Sequence, residues 1–120
     1  MYERKDKDFI LDMFLACQRI LKYIKDLSFE KFLKDDKTID AVIRNIEILG
    51  EATKNLSESF TNKHKQIEWS KIAKARDKLI HFYFGIDEEI VWDIATNDIP
   101  ALLKKLKDLI EKEGWSDEIS

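Results

Sequence analysis

Apolar residues recur along most of the chain at spacings of three and four, the pattern of helices with one buried face. Between residues 9 and 27 they fall at Ile10, Met13, Phe14, Cys17, Leu21, Ile24 and Leu27. The clearest run is Ile39, Val42, Ile46, Leu49, Thr53, Leu56 and Phe60. It predicts one unbroken helix whose seam packs on a partner helix at a shallow angle. Gly50 sits beside that seam, where it costs helix stability and lets a neighbouring backbone come close. Residues 28–37 read as a connection with one helical turn, capped by Ser28. Residues 61–68 are polar and read as a loop, with His64 as a surface histidine. A third helix starts near Trp69 and runs to about Tyr83, and Gly85 breaks it. Asp87 caps a fourth helix, with Glu88 and Glu89 favoured in its first turn by the helix dipole. Ile90, Val91, Ile94 and Ala95 form its inner face. Asn97-Asp98-Ile99-Pro100 marks a boundary, and Pro100 belongs in the first turn of a fifth helix. Leu102, Leu103, Leu106, Leu109 and Ile110 face inward there, Gly114 ends it, and residues 115–120 form a short tail. No strand pattern, repeat or low-complexity segment interrupts this order. The prediction is an all-α antiparallel bundle of four main helices with a short additional one, in a single domain over residues 1–120.

Composition narrows the function classes. With 120 residues, 38% charged and 44% hydrophobic, the chain suits one domain of half-wet helices. Its three glycines and one proline are too few for a glycine-rich nucleotide loop. The single cysteine, Cys17, excludes an internal disulfide and a cysteine-rich zinc site, and its place in the first stripe makes it a small core residue. His64 has no neighbours at metal-ligand spacing, so neither a metal nor a cofactor is expected. No apolar run approaches the roughly 20 residues of a membrane span, and the N-terminus has no apolar signal core, so the expected compartment is the cytoplasm. Net charge is -3, which weakens a generic nucleic-acid coat protein. The charges are nevertheless segregated. Residues 61–83 carry six Lys/Arg against two acids, and residues 84–98 carry five acids and no base. The acidic stretch is expected to contact a basic partner surface, although two solvated helix faces would show the same pattern.

One constellation carries chemistry. On a helical wheel Trp69, Ile72, Ala73, Leu79, Ile80 and Tyr83 form the apolar stripe of the third helix, and Arg76 falls at its centre. A guanidinium in the middle of a buried face is costly unless it is paired or faces a cleft. His81 lies about 140° around and ~7.5 Å along an ideal helix from Arg76. The two converge if the helix loosens toward Gly85, or where two chains meet at a symmetry axis. Asp77, four residues before His81, is placed to hold one imidazole nitrogen. Lys74 and Lys78 share the His81 side and would attract phosphate. Arginine grips a phosphate oxygen and stabilises developing charge, and histidine exchanges protons near neutrality. Together they suffice for RNA cleavage without a metal, leaving a 2′,3′-cyclic phosphate. The same residues also fit a purely structural role: an arginine paired to a core acid, a histidine at a helix end and a packing tyrosine.

The spacing of Arg76, His81 and Tyr83, with four residues and then one between them, resembles the signature of the HEPN superfamily in its HepT-like branch. The resemblance extends over residues 40–52, which look like the family's second helix, over Glu68-Trp69-Ser70-Lys71-Ile72, and over Tyr83-Phe84-Gly85-Ile86-Asp87, Val91-Trp92-Asp93-Ile94 and Asn97-Asp98-Ile99-Pro100. It covers residues 8–112. Phe82 departs from it, standing where a small residue is common. The resemblance implies a homodimeric helical toxin whose Arg76 and His81 line a ribonuclease cleft at the dimer interface. It also implies a minimal nucleotidyltransferase antitoxin that adenylylates Tyr83. Asp77 fits a position that is often Asn or Asp in relatives. Two other functions stay open at this point: a non-catalytic helical module that binds a nucleotide or that partner, and a protein that serves mainly as an acceptor of nucleotidyl groups at Tyr83.

Overall fold

A computed structural model describes residues 3–79 and 87–119, the Arg76 side chain excepted. Seven α-helices occupy the described residues, and no strand does. They are α1 (Asp6–Ile24), α2 (Phe29–Leu33), α3 (Asp36–Lys54), α4 (Glu58–Lys63), α5 (Trp69–Leu79), α6 (Glu88–Asp93) and α7 (Ile99–Lys112). The all-α bundle expected from the periodicity is present. Its centre is the α1–α3 pair, with α7 packed on α1 and α5 on α3. α1 and α3 run antiparallel: Asp6, at the start of α1, accepts hydrogen bonds from the backbone N–H and the hydroxyl of Ser57, just past the end of α3, at 2.8 and 2.7 Å.

Local signals start and stop the helices where the sequence places them. Ser28 caps α2 by accepting from the Lys31 N–H. Asp87 caps α6 by accepting from the N–H groups of Glu89 and Ile90. Gly114 follows α7 at φ +77°, a left-handed conformation in which a glycine carries no Cβ penalty. Ile10, Met13, Ile20, Val42, Ile46 and Leu106 are fully enclosed between α1, α3 and α7. Cys17 lies among them, and burial pushes its thiol up to about 12, which keeps it a neutral packing group.

The structure corrects two boundaries. The helix expected to run unbroken to Phe60 stops at Lys54 and restarts at Glu58. Ser57 ends it, because its hydroxyl caps α4 through the Phe60 N–H while bonding Asp6. The apolar spacing passes through the break because both pieces face the same core. The segment expected to be loop from residue 61 is therefore helical up to Lys63. The boundary expected at Asn97-Asp98-Ile99-Pro100 is present, with Pro100 in the first turn of α7. A π-helical turn, Ile94–Asp98, joins α6 to α7, with helical backbone at Ile94, Asp98 and Ile99. Pro100 has no N–H to donate, so a widened turn before it leaves no donor unmet.

Candidate functional site

The position of α5, which carries Lys74, Arg76, Asp77 and Lys78, is set at its first turn. The Trp69 indole N–H donates to the His64 carbonyl at 2.9 Å, and the Phe60 ring lies 4.7 Å from the His64 ring and 6.0 Å from Trp115, stacked on the latter at 9°. The His64 Nε2 lies 3.0 Å from a Glu113 carboxylate oxygen that also accepts from Lys63 Nζ at 2.8 Å. Those two hydrogen bonds hold the Glu113 carboxyl below the usual glutamate range. His64 is only 5% exposed, which corrects the reading of it as a surface histidine. Its partner lies 49 residues away and its cover is aromatic, so its surroundings of Lys and Asn in sequence are no guide. Ile67, buried in the same stretch, has no sequence signal, because one isoleucine in a polar run shows no period.

Along α5 the burial is shallow. Trp69, Ile72, Ala73 and Ala75 are half-buried, and only Leu79 is buried among the described side chains. Arg76 belongs to this helix, one turn beyond Ile72 and Ala73 and one turn before Leu79. Lys74, Asp77 and Lys78 are exposed, and no hydrogen bond or ion pair joins them to one another among the described residues. The two lysines thus lie on a solvent-facing side of α5. His81 and Tyr83, and with them Phe82 and the end of the helix at Gly85, lie outside the described residues. Beside α5, where it meets α3 and α7, a cavity of about 120 Å³ is lined by Ile46, Leu49, Ile67, Ile72, Ala75 and Leu102 among others. Lys71 and Asp98 face each other at its rim, 3.6 Å apart. Among the described residues no group of three or more His, Cys, Asp or Glu is arranged to hold a metal ion, and no helix is long and apolar enough to cross a membrane.

This arrangement offers exposed cations on a helix whose apolar side is left half-covered. A family model described as "Ribonuclease HepT-like" matches residues 13–109, from within α1 to within α7, and so takes in Arg76, His81 and Tyr83. The chain is 45% identical over 118 residues, 98% of each chain, to the Methanocaldococcus jannaschii protein named "Putative RNase MJ0127". It is 43% identical over 107 residues, 89% of this chain and 97% of the relative, to the Thermococcus cleftensis protein named "Probable ribonuclease HepT". No solved structure matches the chain.

Proposed function

The chain belongs to the HepT-like ribonuclease family of the HEPN superfamily, and from that premise we propose that it is a metal-independent endoribonuclease. In this reading it acts as a homodimer and is the toxin of a toxin–antitoxin pair in the cytoplasm. The observation that carries the reading is the family match across all of α5 and the segment after it, which hold Arg76, His81 and Tyr83 in the family's spacing. The half-buried apolar side of α5 supports the dimer, since a second copy would cover Trp69, Ile72 and Ala73.

The chemistry needs only these side chains. His81 accepts the proton of a ribose 2′-hydroxyl, and the freed oxygen attacks the adjacent phosphorus. The bond from phosphorus to the 5′-oxygen breaks, and that oxygen takes a proton from a protonated imidazole. Arg76 neutralises the charge that builds on the non-bridging oxygens. Asp77 orients His81, and Lys74 and Lys78 draw the RNA backbone to the cleft. The antitoxin, a minimal nucleotidyltransferase, silences the site by adenylylating Tyr83. The phenolic oxygen attacks the α-phosphorus of ATP, pyrophosphate leaves, and the phenolic proton goes to solvent.

The test uses purified full-length protein on mixed RNA with EDTA present, beside His81→Ala. Cleavage by the parent alone, leaving 2′,3′-cyclic phosphate ends, is the expected result. Loss of cleavage in EDTA overturns metal independence, and cleavage by both proteins overturns the role of His81. No cleavage by either, from protein of unmodified intact mass, overturns the nuclease reading.

A further inference from the structure

Between α2 and α6 the surface folds into a groove of about 560 Å³. Its wall is aromatic. Phe29 and Trp92 are half-buried, with ring centroids 6.0 Å apart. Behind Trp92 lies the fully buried Phe32, its ring centroid 4.9 Å away. The indole is thereby fixed on one side by the core, while its remaining surface lines the groove. The indole N–H has no hydrogen-bond partner among the described residues. The rim is acidic: Asp87, Glu89 and Asp93 line the groove, and among the described residues no lysine or arginine does.

Two of these carboxylates are oriented by the fold. One Asp87 oxygen accepts from the Glu89 and Ile90 N–H groups, and one Asp93 oxygen accepts from the Asn97 side chain at 2.6 Å. Each keeps its second oxygen for another donor. Glu89 has no partner among the described residues. Phosphate is repelled by such a rim, so RNA is the wrong occupant. A guanidinium is the right one, because its planar fork pairs with a carboxylate and its face stacks on an indole, whereas an ammonium offers only a point charge.

We propose that this groove docks an arginine side chain presented by the cationic surface of a partner protein. A second copy of the chain is the competing occupant, because its own basic stretch lies along α5, and the experiment below separates the two. The inference does not depend on the ribonuclease reading, and RNA cleavage serves as a separate readout expected to stay unchanged in the groove variants.

The experiment titrates fluorescein-labelled hexa-arginine into the full chain at low salt, with hexa-lysine in parallel. Hexa-arginine is expected to bind about three-fold or more tighter than hexa-lysine, the scale of one exposed cation–π contact. Glu89→Gln/Asp93→Asn weakens hexa-arginine about five-fold or more, while Asp108→Asn/Glu111→Gln, the same charge change on α7, weakens it less than about two-fold. Trp92→Leu removes the preference for arginine. Because Trp92 also touches the core, the exposed double variant keeps the test decisive if Trp92→Leu misfolds. Equal weakening by both double variants, or an arginine preference that survives Trp92→Leu, overturns the proposal. So does a fall in self-association of the chain alone on Glu89→Gln/Asp93→Asn, which would make the occupant a second copy.

Discussion

α1 and α5 are both amphipathic, and the fold treats them differently. α1 buries seven of its 19 residues, from Ile10 to Ile24, between α3 and α7. In α5, Leu79 alone is buried among the described side chains, and Trp69, Ile72, Ala73 and Ala75 remain half in solvent. Most of the apolar surface of α1 is consumed within the chain, with Leu15 left 44% exposed on its outer side, while the larger part of that of α5 is left half-covered. Arg76 sits in α5, where the sequence breaks the rule that a buried stripe is apolar. Stability is therefore expected to reside in α1, α3 and α7, and recognition in α5.

The strongest way to break that contrast is to cut equal methyl groups from each side. Leu106→Ala, at a fully buried position facing the core, is expected to cost about 2–5 kcal/mol in urea denaturation. Ile72→Ala is expected to cost about 1 kcal/mol or less at low protein concentration, since its side chain is already half-exposed. It should also shift sedimentation toward monomer if the proposed dimer uses this face. Equal losses in unfolding free energy would erase the distinction between the two regions.

The next effect concerns the joint between them. Glu113→Ala leaves the buried His64 ring without its carboxylate partner, and the expected loss is about 1–3 kcal/mol by denaturation. The pH dependence sharpens this. Glu113 is held below its ordinary value of 4.5, so its contribution is fully present above that value and is lost as pH falls through the lowered one. Asp35 is held low by its two bonds from Thr38 and adds an acid dependence of the same sign. Melting temperature should fall as pH drops below about 4.5 in the parent, and fall less steeply in Glu113→Gln. An unchanged slope in that variant would show that the pair does not anchor α5.

How much of this was legible in the sequence follows the range of each interaction. Ser28, Asp87, Pro100 and Gly114 act on atoms within four residues of themselves, and their roles could be read directly. The break at Ser57 depends on Asp6, 51 residues away, and the burial of His64 on Glu113, 49 residues away. Neither leaves a local trace. The candidate site divides the same way. The place of Arg76 along α5 and the exposed lysines follow from helical spacing, whereas the relation of Arg76 to His81 depends on residues beyond Leu79 and, in the proposed dimer, on a second chain.

A smaller change tests the local signals alone. Asp87→Ala removes the side-chain cap of α6, and about 0.5–2 kcal/mol of stability should go with it. Its effect should appear first as faster amide exchange at Glu89 and Ile90, the two N–H groups that Asp87 caps. If exchange quickens equally in α1, α6 and the core unfold together and the cap is global in effect.

The smallest expected effect on stability falls on the outer face of α5, and there the contrast is sharpest. Lys74 and Lys78 are exposed and touch no other described side chain through a hydrogen bond or ion pair. Replacing either with alanine should change unfolding free energy by no more than about 0.5 kcal/mol. In the proposed role each lysine meets one phosphate, so its loss should lower the slope of log affinity for single-stranded RNA against log salt by about 0.7. An interaction so nearly absent from the folding equilibrium and present in the binding one is what a helix built for recognition should show. A salt slope unchanged in Lys74→Ala/Lys78→Ala would remove RNA from this face and leave α5 as a contact between copies only.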